Sequence, residues 1–456
     1  MSVQTENRGK VVLIGAGLVG SLLACYMRKH GYEVDVYERR GDMRKDGVYA
    51  GRSINLALSD RGWRGLAGVG LDHVVKQVAI PMAGRMIHHQ DGSMAYQAYG
   101  KEGQAINSVS RGGLNRLLMD EAEKSGARIH FHMRCTHVDL ESNTITFEHG
   151  QTGEKTTFTA PLIISSDGAY SAGRLSMMFS DRCNYSQTYI EHGYKELTIP
   201  AGPSGSFLIE KNALHIWPRG GYMLIALPNP DGSFTCTLFF PYEGSPSFKE
   251  LDSIEKVRGF FKEVFPDAYA MIPNLEKEYF SNPTGSLVTV RTFPWTWKNR
   301  LMLIGDAAHA IVPFYGQGMN CGFEDCVELD RLMVEFDHDW DKVMPAYEAA
   351  RKPNGDAVAD LALANFIEMR DLVGKPEFLL RKKIEARFNE KHPEKWTPLY
   401  TMVTFSETPY SVALREGKRQ ERIMDRVMAL PDIEKKWDSE EVEQLILSHL
   451  SEERVV

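Results

Sequence analysis

The sequence predicts an α/β protein: a Rossmann-like dinucleotide-binding domain, an antiparallel-sheet substrate domain lying over it, and a helical C-terminal region. Three observations predict this. An apolar strand, a glycine-rich turn, a helix and a second strand follow one another at the start of the chain. From about residue 183, strand-like segments alternate with turn signals. Beyond Met319 the pattern is helical almost to the end.

Lys10 to Ile14 is a short apolar run of the kind expected for a strand buried on both faces. A helical stretch runs on to about His30, and Glu33 to Tyr37 forms the second strand, ending at Glu38. Between the first strand and the helix stands Gly15-Ala16-Gly17-Leu18-Val19-Gly20. Gly15 permits the tight turn, Gly17 lets backbone approach a pyrophosphate, and Gly20 allows close helix packing. The free N–H groups at that helix end suit phosphate. Glu38 is placed to accept a ribose hydroxyl. Strand, turn, helix and acid together point to a dinucleotide but do not say which one.

Further along, a helix is expected over 114–125 and a strand over 128–133. A polar hairpin follows over 144–148 and 155–159, then a buried strand over 162–165 ending at Asp167-Gly168. The second unit is expected to use strands over 194–199, 213–217, 222–227 and 235–240, with Asn229-Pro230-Asp231-Gly232 as one of the turns. Residues 301–304 return to a buried strand that ends in Gly305-Asp306. The dinucleotide-binding domain is therefore expected in three segments, 1–80, 104–182 and 286–360. The substrate domain takes 81–103 and 183–285, and helices over 361–456 close its pocket.

Composition narrows the function. The chain of 456 residues is 43% hydrophobic and 25% charged, as in ordinary globular proteins. A net charge of -8 argues against a nucleic-acid partner, which needs clustered Lys and Arg. The six cysteines include no C-x-x-C pair, so no metal site is expected, and they read as reduced thiols of a cytoplasmic enzyme. The apolar stretch from Val11 to Met27 is short for a membrane span and is interrupted by the glycines of the turn. Residues 440–456 are polar and helical, so no membrane anchor is expected.

Two further motifs specify the dinucleotide. Ile304-Gly305-Asp306-Ala307-Ala308-His309 follows a strand, and Pro313-Phe314-Tyr315-Gly316-Gln317-Gly318-Met319-Asn320 opens a helix. An Asp at a strand end can hold ribityl hydroxyls. A glycine-rich helix N-terminus can face the edge of a flavin that gains negative charge on reduction. With Asp167-Gly168, Ser171 and Arg174 between them and the first turn, the set resembles the FAD-dependent aromatic hydroxylases of the para-hydroxybenzoate hydroxylase type.

The resemblance narrows at stretches outside these motifs. Gly51 to Leu58, His192 to Leu197, Leu214 to Pro218 and Tyr400 to Phe405 are similar to segments of the kynurenine 3-monooxygenase family, and the likeness runs from near Lys10 to about Tyr410. That resemblance implies FAD as cofactor and NADPH and O2 as co-substrates. It implies hydroxylation of L-kynurenine to 3-hydroxy-L-kynurenine through a flavin C4a-hydroperoxide, within tryptophan degradation and without a separate NADPH domain. It places FAD contacts on Val19, Tyr37, Glu38, Arg39, Arg40, Ala57, Arg111, Cys135, Asp306, Met319 and Asn320, beside Gly15, Gly17 and Gly20. It places the substrate on Arg85, Tyr99, Asn365 and Tyr400. A zwitterionic aromatic amino acid would use an Arg fork and neutral donors for its carboxylate.

The resemblance implies no separate catalytic base, because the ring amine already activates the ring. His309 reads as structural. Glu368, one turn beyond Asn365, is expected on the same wall, and Phe240 and Phe314 are candidates for the ring pocket. Cys135 is expected just past a strand end, as a backbone contact. Two departures stand out: Tyr315, where relatives carry Phe or His, and Ser165-Ser166 before Asp167, for which no consequence is expected. A same-fold hydroxylase of another aromatic acid is the nearest alternative. A halogenase is disfavoured because Trp295-Thr296-Trp297 is not followed by Ile-Pro.

Overall fold

The computed structural model describes residues 8–45 and 55–452. Its first sheet has six strands in the spatial order 296–297, 301–303, 162–165, 10–14, 33–37 and 128–130. Strand Lys10–Ile14 lies parallel between Glu33–Tyr37 and Leu162–Ser165, and Leu301–Leu303 runs parallel beyond the latter. The central strands are apolar throughout because helices cover both faces: Val11, Val12 and Leu13 are fully buried. Helix Leu18–Lys29 crosses from the first strand to the second, as expected, and packs against helices Arg111–Lys124 and Gly318–Glu335.

The second sheet has seven strands, ordered 285–293, 184–199, 234–241, 223–228, 213–218, 84–88 and 94–98. Most neighbours are antiparallel, but Gly84–His88 lies parallel to Ala213–Pro218. That pairing joins two distant chain segments, so no hairpin dictates its direction. Alternation sorts the side chains. Leu214, Leu227 and Phe239 pack toward the helical C-terminal region, whereas Trp217, Leu238 and Phe240 pack against the helices between residues 254 and 281.

Several expected boundaries move. The strand of 184–199 begins ten residues earlier than the expected 194, because its first half pairs along Gly285–Phe293. Residues 285–293 thus hydrogen-bond into the second sheet, and the return toward the first sheet follows Phe293, not residue 286. Helix Trp340–Ile367 runs through position 360 without a break. The strand expected over 128–133 is two: Arg128–His130 in the first sheet, and Met133–Asp139, which pairs with the expected hairpin. Cys135 is therefore inside a strand, not past its end.

Candidate active site

One cavity of about 870 Å³ runs between the two sheets. It is lined at one end by the glycine turn and the ends of the parallel strands, and at the other by Arg85, Tyr99, Asn365 and Tyr400. The glycine turn presents backbone to the first end. Gly15 has φ +98°, and a Cβ there would stand 2.8 Å from the Ser166 carbonyl oxygen. Gly17 is the N-cap of helix Leu18–Lys29, with no side chain bonding the helix N–H groups. A Cβ on Gly17 would meet nothing within 4 Å, so that position opens onto the cavity. Gly20 does not line it. A Cβ there would collide with the Gly15 carbonyl and Ser166 Oγ, so Gly20 serves the close packing of the turn.

Glu38 is buried at the strand end, where Oε2 accepts the Ala16 N–H (2.9 Å) and Oε1 accepts the Arg40 N–H (2.9 Å) and Nε–H (2.8 Å). Burial opposes its ionisation. The Arg40 contacts and the Ala16 amide outweigh burial and hold the carboxyl below its usual range. These three bonds leave room for one more donor on Oε2, as a ribose hydroxyl requires. Tyr37, Arg39, Arg40, Ala57, Arg111 and Cys135 line the same end. Burial pushes the Cys135 thiol up to about 12, so it is a neutral wall group.

Asp306 is exposed, and the space it faces is the cavity. The surrounding protein raises its carboxyl above the usual range, with Arg111 and His309 opposing. The turn that carries it is held from behind. Asp325 accepts the Gly305 N–H (3.0 Å), pairs with His309 Nε2 (2.6 Å) and accepts from Arg351 Nε (2.6 Å). His309 is thus fully engaged behind the site and absent from the cavity wall, consistent with a structural role. His309, Cys321 and Asp325 converge closely enough to hold a metal, but the Arg351 guanidinium already occupies Asp325.

Buried Arg174 ties two strand-end turns together, donating to Ala307 O (2.8 Å) and to Ala169 O. Ser165 and Ser166, expected to be inconsequential, both have work in these turns. Ser165 Oγ donates to Asp167 (2.6 Å), and Ser166 Oγ reaches Ile14 O (2.9 Å) and Gly15 O (3.0 Å), pinning the glycine turn. Met319 lines the cavity at the start of helix Gly318–Glu335, whose N-cap Gln317 bonds no helix N–H with its side chain. Asn320 does not line it. Its amide holds Ala57 O (2.8 Å), Gly316 O (2.7 Å) and the Ser59 N–H (3.0 Å), so it fixes neighbours that do.

Two uncapped helix N-termini, an open glycine position and an acid with acceptor capacity to spare all face one elongated cavity. That donor set fits FAD: N–H groups for pyrophosphate and flavin edge, carboxylates for ribose and ribityl hydroxyls.

The far end is built from side chains. Arg85 is 4% exposed, with its Cζ 5.4 Å from the Tyr99 ring centre and 5.2 Å from that of Tyr400. Tyr99 and Tyr400 stack at 4.9 Å. The nearest carboxylate is Glu368, whose Oε1 is 3.6 Å from Arg85 Nη1, and Arg85 Nε has no hydrogen-bond partner among the described residues. A buried cation with a single distant counter-ion and an unmet donor suits an incoming carboxylate. Asn365 donates to Phe314 O (2.8 Å) and so braces the wall. Phe314 lines the cavity; Phe240 points to the other face of the sheet, and its neighbour Phe239 lines the cavity in its place. Period-two alternation could have made that choice had the inward face been known. Of the motif segments, 51–54 lie outside the described residues.

Comparison with known proteins agrees with this geometry. The FAD binding domain family matches residues 8–218 and 286–362. Kynurenine 3-monooxygenase of Flavobacterium psychrophilum is 49% identical over 98% of this chain and 99% of its own. That of Myxococcus xanthus is 48% identical, over 98% and 96%, and that of Dictyostelium discoideum 46%, over 92% and 93%. Among solved structures, tetrameric 2-methyl-3-hydroxypyridine-5-carboxylic acid oxygenase shares the fold, with a TM-score of 0.67 at 21% identity over 81% of this chain and 95% of its own. PqsL of P. aeruginosa does so at 0.63 and 18%, over 80% and 97%.

Proposed function

The chain belongs to the kynurenine 3-monooxygenase family, and on that premise we propose that it hydroxylates L-kynurenine to 3-hydroxy-L-kynurenine, consuming NADPH and O2. The observation that carries the reading is one cavity that joins a dinucleotide cradle to a buried Arg85 flanked by Tyr99 and Tyr400. One oxygen atom of O2 enters the ring; the other leaves as water with the two electrons of NADPH and a proton. When bound, FAD supplies the chemistry that passes those electrons to O2 and delivers the oxygen atom.

The chain's own residues hold and enclose. Arg85 takes the substrate carboxylate, with Glu368 3.6 Å behind it as its own counter-charge outside the cavity lining. Leu214, Ile225, Leu227, Phe239, Leu287 and Met369 make the wall for the aniline ring and keep water from it. No side chain is needed to remove a proton before oxygen transfer, since the amine activates the ring. The protein's task is to fix the ring carbon beside the amine where oxygen is delivered.

The test is to load purified protein with FAD and measure NADPH oxidation with and without L-kynurenine, checking the product mass for one added oxygen atom. Acceleration with that product is expected. No acceleration, or uptake of NADPH without oxygenated product, overturns the assignment.

A further inference from the structure

Tyr315 stands where the two ends of the cavity meet. It ends the 3-10 turn Pro313–Tyr315, which passes through left-handed Gly316 into helix Gly318–Glu335. Its ring stacks on Tyr400 at 5.6 Å and 15°, extending the Tyr99–Tyr400 pair into a stack of three. It is 8% exposed, and the space it faces is the cavity.

Among the described residues its hydroxyl has no hydrogen-bond partner; Glu368 and Arg85 are the charges near it. The ring is buried but the hydroxyl opens onto the cavity, so its donor is free to meet a ligand lying there. Burial also raises its pKa above the ordinary tyrosine value, so it stays neutral and can donate.

We propose that the Tyr315 hydroxyl binds substrate, donating a hydrogen bond to a carbonyl oxygen that lies between the carboxylate held by Arg85 and the aromatic ring. The order of groups along the cavity supports this. Arg85 sits against Tyr99 and Tyr400, Tyr315 follows in the stack, and the flavin-side turn at Gly316 comes next. An aryl amino ketone laid along that line puts its ketone opposite Tyr315. The inference rests on the kynurenine reading above and deepens it: the site selects a ketone, not merely an aromatic amino acid. A donor built for a partner disfavours ligands that lack it.

Tyr315→Phe removes the oxygen and keeps the stack. FAD-loaded wild type and variant are titrated, by flavin absorbance, with L-kynurenine and with the analogue whose ketone is replaced by a methylene group. The variant should bind L-kynurenine about fivefold more weakly, the loss of one neutral hydrogen bond, and bind the methylene analogue as wild type does. FAD affinity should not change. Equal L-kynurenine affinities overturn the proposal. So does an equal loss for both ligands, which would assign the hydroxyl to shaping the pocket through Glu368. If neither ligand perturbs the wild-type flavin, the kynurenine reading itself fails and takes this inference with it.

Discussion

The glycine-turn end of the cavity adds open backbone N–H groups to its side chains, whereas the Arg85 end is built from side chains alone. The first end draws on N–H groups at two helix N-termini and on positions where a Cβ is excluded or absent. The second draws on Arg85, Tyr99, Tyr315, Asn365 and Tyr400, which come from five separate places in the chain. Backbone recognition tolerates few substitutions because it needs space, and each intrusion is steric. Side-chain recognition fails by degrees, because a lost charge or hydroxyl removes one interaction at a time.

The sharpest way to break this contrast is Gly20→Ala. The new Cβ would strike the Gly15 carbonyl and Ser166 Oγ, so the glycine turn and the parallel strand beside it cannot both keep their places. A destabilisation of about 3 kcal/mol is expected, with no FAD retained. Denaturant unfolding and gel filtration of FAD-loaded protein check it, and normal retention would show that the turn can yield.

Arg85→Ala should leave FAD binding intact and weaken L-kynurenine binding roughly thirtyfold or more, since truncating one side of a buried charge pair costs about 2–5 kcal/mol. Arg85→Lys should recover part of it. An affinity within about threefold of wild type would place the carboxylate elsewhere. Asp306→Ala should do the reverse: FAD affinity falls about tenfold, the cost of a hydrogen bond to a charged group, while the fold is kept because Asp325, not Asp306, holds the turn. Unchanged FAD affinity would remove Asp306 from the cofactor site.

The smallest expected effect compares two buried histidines. In the substrate unit, burial pushes His215 down to about 4 from 6.5. The unfolded chain therefore takes up a proton between about pH 6.5 and 4 that the folded chain refuses, and stability falls as pH drops through that window. Under the cofactor end, burial opposes the charge on His309, but Asp325 and Cys321 raise it well above 6.5. Its contribution is complete below about pH 6.5 and fades as pH rises through the higher folded value. Unfolding midpoints of His215→Gln should show a flatter acid limb, and those of His309→Gln a flatter alkaline limb. Limbs that move the other way would mean the two environments are exchanged.

Much of the cofactor end was legible because its demands are local. The turn Gly15–Gly20, the acid at 38 and the strand end at 305–306 each carry their geometry within a few residues. What local reading missed there was support from a distance: Ser166 reaching the glycine turn, Asn320 holding Ala57 and Gly316, and Arg174 joining two turns. The residues proposed to hold substrate were different. Arg85 on its own reads as a solvated strand charge, and only family resemblance singled it out. Phe240, a candidate for the ring pocket, falls on the far face because a strand's alternation is visible in sequence while the direction of its inward face is not.

The sequence by itself determined the strand–turn–helix geometry that offers N–H groups to a dinucleotide, because torsion-angle and steric limits act between neighbours. Tertiary structure alone decided that Arg85 is buried, that it lies against Tyr99 and Tyr400, and that Tyr315 extends their stack. Those facts depend on which faces of two sheets and a C-terminal helical region close on one another. Burial of a charge is a property of that closure, not of any stretch of chain.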